Sequence, residues 1–289
     1  MKTTPYSSAV AGLALAVSFG MPHAHSASVV NVNATGLGLT DGDAIVSVAN
    51  SGSAGQFSTV TGSVTAASHP ANNNAGVMIQ GLGFNNGGAR MNSAVTAESV
   101  GLSGNASYSI TSWVWNPAFG NEEAIVAWGN RGGPDGTNAG FHQGTHAGFG
   151  AVGHWGGGPD VGWGNGGADI NATIGQWSHL STTFDGNEQR LFINGVFSNS
   201  EIIGAINVHG GANVISIGSE SNNGNTTATP IPYSGTIAQL QVWDTTLTDQ
   251  DVLDNYNEQA ALFVNGIPEP TTSLLGVLGL MLLGLRRRR

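Results

Sequence analysis

Between residues 28 and 265, short runs rich in Val, Ile, Thr and aromatic residues alternate with clusters of Gly, Asn, Ser and Asp, and apolar positions at helical spacing are nearly absent. Residues 106–115 (ASYSITSWVW) predict a strand with Tyr108, Ile110 and Val114 on one face, and 180–184 predict another with Leu180, Thr182 and Phe184 together. Asp185-Gly186 predicts a tight turn into 188–196 (EQRLFINGV), Asn194-Gly195 predicts the next turn, and 235–243 (GTIAQLQVW) reads as a further strand. One helix is expected after Thr248, whose hydroxyl is placed to cap it with Asp251 at the third position and Val252, Leu253 and Tyr256 on the buried face; it reads as a short closing element. Residues 28–105 are poorer in aromatics, yet strand-like runs recur at 43–49 and 76–80. About 240 residues of this alternation, with no repeat of fixed period, predict one all-β sandwich with low-complexity loops.

The two ends break the pattern. Lys2, an apolar stretch at 9–21 and the small residues Ala24-His25-Ser26-Ala27 give the charged start, hydrophobic run and cleavage point of a secretory signal peptide over 1–27. Residues 266–289 hold Pro268-Glu269-Pro270, an apolar run at 274–285 and the terminal cluster Arg286, Arg287, Arg288 and Arg289. The run is short against the roughly 20 residues that span a bilayer, so it reads as a marginal or transient transmembrane helix with its arginines on the cytoplasmic side. The order of triplet, apolar run and basic end resembles the PEP-CTERM sorting signal of Gram-negative bacteria. That resemblance implies Sec export, brief anchoring in the inner membrane, processing near the triplet by an exosortase, and a final place at the cell surface or in an exopolysaccharide matrix.

Removing the ends changes the charge. The whole chain carries −10, but between them only Arg90, Arg131 and Arg190 face seventeen acidic residues, a net of −14. Nucleic acid is excluded as a partner, because its phosphates must be neutralised by Lys and Arg. No Cys is present, so no disulfide staples this exported fold.

The runs SYSITSWVW (107–115), EEAIVAWG (122–129), GQWSHLSTTFDGNEQRLFINGV (175–196), VISIGSES (214–221) and SGTIAQLQVWDTTLTDQDV (234–252) resemble the laminin G-like, concanavalin A-like jelly-roll superfamily, best over residues 76–260. The resemblance implies a jelly-roll β-sandwich over 28–265 with one short C-terminal helix. It does not fix a function, since lectins, adhesion modules, glycanases and lyases share this sandwich.

Candidate chemistry gathers in residues 129–167, where sixteen of 39 residues are Gly. Long glycine-rich loops that display His142, His154, Trp155 and Trp163 would offer imidazoles and flat indoles to a polysaccharide, although for either Trp taken singly the sandwich core is the competing place. Asp135, Asn138 and Asp160 supply oxygens that a calcium ion could take, and the resemblance adds that such sandwiches often hold calcium near the loop rim. His142 and His146 are four apart, but the surrounding glycines disfavour the helix that would align them on zinc. Glycan hydrolysis on this fold uses two acids at alternate strand positions; Glu122 and Glu123 are adjacent and point to opposite sides, so no catalytic pair is expected. The reading is a non-catalytic binding protein for a neutral or weakly charged polysaccharide, with no required cofactor. A glycan hydrolase or lyase, with His154 as a possible base, and a structural biofilm protein that binds other proteins are the alternatives.

Overall fold

The computed structural model describes residues 27–85, 87–155, 158–220 and 231–267. The segment expected to be a signal peptide, apart from Ala27, and the segment expected to be a sorting tail, from Pro268 on, lie outside the described residues. Among the described residues no helix is long and apolar enough to cross a membrane.

Two antiparallel sheets face each other. The first runs β13 (Val196–Ile202), β12 (Glu188–Ile193), β11 (Ser178–Phe184), β7 (Tyr108–Trp115), β17 (Thr236–Trp243), β5 (Asn74–Gly83) and β4 (Thr65–Ala71), and β1 (Val30–Asn33) also pairs with β17. The second runs β10 (Val152–Gly153), β9 (Asn138–His142), β8 (Ala124–Gly129), β14 (Val214–Ile217), β6 (Arg90–Thr96), β3 (Phe57–Thr61) and β2 (Ser47–Val48). A two-stranded ribbon of β15 (Ser219–Glu220) and β16 (Ile231–Pro232) crosses the rim. Strands adjacent in space are often distant in sequence, the mark of a jelly roll.

The expected inward positions form the core. Tyr108, Ile110 and Val114 of β7 and Leu180 and Phe184 of β11 pack against Val126, Phe141 and Ile217 of the second sheet. Asn194 and Gly195 take φ of 52° and 75°, both left-handed, and join Ile193 to the facing Val196 in a two-residue hairpin.

The closing helix begins as the sequence indicated, with the Thr248 hydroxyl accepting from the Asp251 N–H and the Asp251 carboxylate accepting from the Thr248 N–H. It then runs further than expected, as α2 (Asp249–Asn265), because Phe263 lies flat on Trp113 with centroids 4.2 Å apart, covering the outer face of the first sheet. A four-residue helix, α1 (Ala168–Asn171), was not foreseen.

Candidate functional site

Residues 129–167 supply β9, β10 and the loops around them at one edge of the second sheet. Along β9 the core takes Ala139 and Phe141, which turns Asn138, Gly140 and His142 to the outer face. Gly153 of β10 pairs directly with Gly140. A methyl group on Gly140 would lie 2.7 Å from both Glu220 Oε2 and His142 Nε2, and one on Gly153 would lie 3.0 Å from His142 Cε1. The facing glycines thus make the niche in which an imidazole and a carboxylate are stored.

Glu220, from β15, fills that niche at 3% exposure. Its Oε2 accepts from His142 Nε2–H at 2.7 Å, its Oε1 accepts from the Asn138 amide at 2.7 Å, and the Arg131 guanidinium stands 3.6 Å away. The guanidinium also lies under the Trp155 ring, 4.8 Å from its centroid. Trp155 is 37% exposed and holds a left-handed φ of 69°, a conformation that costs a bulky residue of order 1–2 kcal/mol. Strained backbone of this kind collects at functional sites.

Trp155, Arg131, Glu122, Asp160 and the edge of His142 enclose a cleft of about 210 Å³. Glu122, half-buried and with no hydrogen-bond partner among the described residues, has its carboxyl held above the usual range, first by burial and then by repulsion from Glu220 and Asp160, while His142 and Arg131 oppose the rise. Its neighbour Glu123 points the other way, where its carboxylate accepts from the Asn116 amide, from the Gly120 N–H and from both the N–H and hydroxyl of Ser234. The adjacent acids do face opposite sides, and Glu123 braces the loops under the site.

The structure therefore brings His142, Trp155 and Asp160 together, holds Asn138 behind them on Glu220, and sends Trp163, His154 and Asp135 elsewhere. Trp163 is a correction: at 1% exposure it packs in the core with Phe141 at a centroid distance of 6.0 Å and presents no face to a ligand. His154 is likewise interior rather than displayed. Its Nδ1–H donates to the Pro159 carbonyl at 2.8 Å, its Nε2 faces the Tyr108 hydroxyl at 3.0 Å, and burial pushes its pKa down to about 4, so the ring is neutral and sealed from substrate.

The calcium candidates do not form a cage. Asp160 accepts the His154 N–H at 2.5 Å, the Asn138 amide donates to Gly153 and Glu220, and Asp135 is exposed and does not line the cleft. Among the described residues no group of three or more His, Asp or Glu is placed to hold a metal ion. Calcium, which takes six to eight oxygens, does not fit this donor set.

Sequence reasoning passed over Glu220 and Arg131 as site residues, and weighed Glu122 only with Glu123 as an acid pair before setting it aside. Arg131 carried a signal nonetheless: it is one of three cations in a body of −14, and it sits inside the glycine-rich segment.

Residues 86–253 match the family model described as the concanavalin A-like lectin/glucanases superfamily. No curated protein matches the chain. Among solved structures, domain 4 of an extracellular arabinanase from Geobacillus stearothermophilus, in complex with arabinotriose, is 16% identical, with 79% of this chain and 98% of that one covered and a TM-score of 0.49. The binding domain of botulinum neurotoxin serotype G is 15% identical, with 80% and 51% covered and a TM-score of 0.47. That of Paraclostridial Mosquitocidal Protein 1 is 14% identical, with 80% and 52% covered and a TM-score of 0.43. Likenesses this distant bear on nothing beyond general shape.

Proposed function

The chain belongs to the concanavalin A-like lectin/glucanase superfamily, and we propose that it is a non-catalytic glycan-binding protein whose ligand enters the cleft beside Trp155. The observation that carries this reading is the indole itself: exposed, held in a left-handed conformation and seated on Arg131, it offers a fixed flat face beside polar groups. A sugar ring needs that combination, an apolar face to cover and hydrogen-bonding groups at its edge. Glu122, Asp160 and Glu220 outnumber the single Arg131 around the cleft, which favours a neutral ligand over an acidic one.

Hydrolysis is the second reading. A carboxyl with a raised pKa, Glu122, lines the same cleft as a second carboxyl, Glu220, the two-acid arrangement that hydrolysis requires. Against it, both oxygens of Glu220 already accept hydrogen bonds, from Asn138 and His142, beside Arg131, and the group is buried, which disfavours attack on a substrate. Incubation with polysaccharides separates the readings: binding without new reducing ends or unsaturated products supports the first, and product release that is lost in Glu122→Gln supports the second.

The same proposal places the protein outside the cytoplasm. Residues 1–27 export it by Sec, Pro268-Glu269-Pro270 with the apolar run and Arg286 to Arg289 hold it briefly in the inner membrane, and an exosortase releases it to the surface or to an exopolysaccharide matrix. Replacing the triplet by alanines and following the protein by fractionation tests this, with retention in the inner membrane as the expected result.

A further inference from the structure

A second cleft lies on the far side of the sandwich. Trp115, Thr236, Gly83 and Thr65 stand in one row across β7, β17, β5 and β4, each paired with the next. Their chain neighbours Val114, Ile237, Leu82 and Ala66 all belong to the core, so the row faces outward. Its middle is low. Gly83 has no side chain, and a Cβ there would strike Ala67 at 2.8 Å, so only small groups fit between the aromatic end and β4.

Across this trough the His69 ring stacks on Trp115, with centroids 3.5 Å apart and planes 9° from parallel, and its Nε2 meets the Thr236 hydroxyl at 2.8 Å. The result is a cleft of about 320 Å³ with Trp115 as its aromatic surface and Ser63, Thr65 and Asn85 among its polar lining. Among the described residues no Asp, Glu, Lys or Arg lines it. Burial pushes the His69 pKa down to about 4, against a smaller upward pull from Asp41, so the ring adds no charge at neutral pH. The hydroxyls of Ser63 and Thr65 and the indole N–H of Trp115 have no hydrogen-bond partner among the described residues, and all three belong to residues that line the cleft. Helix α2 covers Trp113 and Trp177, while Trp115 stays partly buried at the edge of that cluster.

We propose that this uncharged trough is a second saccharide site, taking a neutral sugar ring against Trp115, so that one chain holds a glycan on each outer face of its sandwich. The site at Trp115 stands on its own geometry; the bivalency rests on the reading of the Trp155 cleft given above. Flat aromatic surface with free hydroxyl and N–H donors and no charge matches a neutral polyol and offers nothing to an anion or cation. Two sites facing opposite ways would make the protein a cross-linker of polysaccharide strands, with avidity set by strand length.

Titration calorimetry with cellohexaose, mannohexaose and arabinohexaose tests this on the full chain. Trp115→Ala removes the platform, and Ser63→Trp, at an exposed residue outside the core, blocks the trough should the first variant fold poorly. The expected result is two equivalents of one of these sugars on the unaltered protein, one on Ser63→Trp, one on Trp155→Ala and none on the double variant. If Ser63→Trp and Trp115→Ala bind as the unaltered protein does while Trp155→Ala binds nothing, the second site is refuted and the first stands. Loss only on Ser63→Trp leaves the second site and removes the first. No binding of any of the three sugars by the folded, unaltered protein overturns the second site outright.

Discussion

Trp155 gives the sharpest test, because its contribution to binding and its contribution to folding can be read separately. The indole leaves 37% of its surface exposed. A Trp offers up to about 250 Å², so a sugar ring laid on it covers at most about 90 Å². At about 25 cal/mol per Å² that contact stabilises the complex by roughly 2 kcal/mol, which is about thirty-fold in Kd. Trp155→Ala should therefore weaken glycan binding about thirty-fold. Trp155→Gly should weaken it equally while remaining folded: relief of the left-handed φ returns about 1 kcal/mol and offsets part of what is lost with the Arg131 contact and the covered face of the indole. Calorimetry with the tightest glycan and urea unfolding of each variant read the two effects. A change in Kd below about threefold, with both variants folded, would refute the assignment of the indole as the platform.

Four other expectations follow from the same geometry. Gly140→Ala drives a methyl group into the Glu220 and His142 pair and should cost about 1–3 kcal/mol in urea unfolding together with loss of binding; an unchanged midpoint would mean the niche is not tight. His154 and His179 are fully buried with pKa values near 4, and the unfolded chain binds their protons near 6.5, so stability is complete above pH 6.5 and lost as pH falls toward 4. The pair should cost about 3 kcal/mol between pH 7 and pH 5.5, seen as a falling urea midpoint, whereas a flat profile would contradict their neutral burial. Thr248→Ala removes the helix cap and should destabilise by about 1 kcal/mol without changing glycan affinity. Chelator should leave both the melting temperature and the affinity unchanged, since a metal bound only to the folded state would have to stabilise it.

The sheet pattern was legible because it is local. The alternation of core-facing positions in 106–115 and 180–184, the Asn194-Gly195 turn and the Thr248 cap each depend on a few adjacent residues, and each recurs in the structure, although both faces of these two strands are buried. The length of α2 was not legible, because what extends it is Phe263 meeting Trp113 from a strand 150 residues earlier. The site was half legible. Glycine density marked the right segment, and Trp155, His142 and Asp160 do meet there. Composition could not say which way each ring points, and so Trp163 and His154, both interior, looked the same as Trp155. Glu220 was invisible for a further reason: it enters from β15, 78 residues beyond His142, and only the pairing of Gly140 with Gly153 makes room for it.

The central claim is that the cleft beside Trp155 binds a glycan without cleaving it. A glycan array probed with the folded protein and with Trp155→Ala, in chelator, tests it most directly. The account predicts retention of neutral glycans by the unaltered protein, retention by the variant weakened to what the Trp115 trough alone supports, and no shortened products; an empty array from a well-folded protein, or signal equal in both, would contradict it.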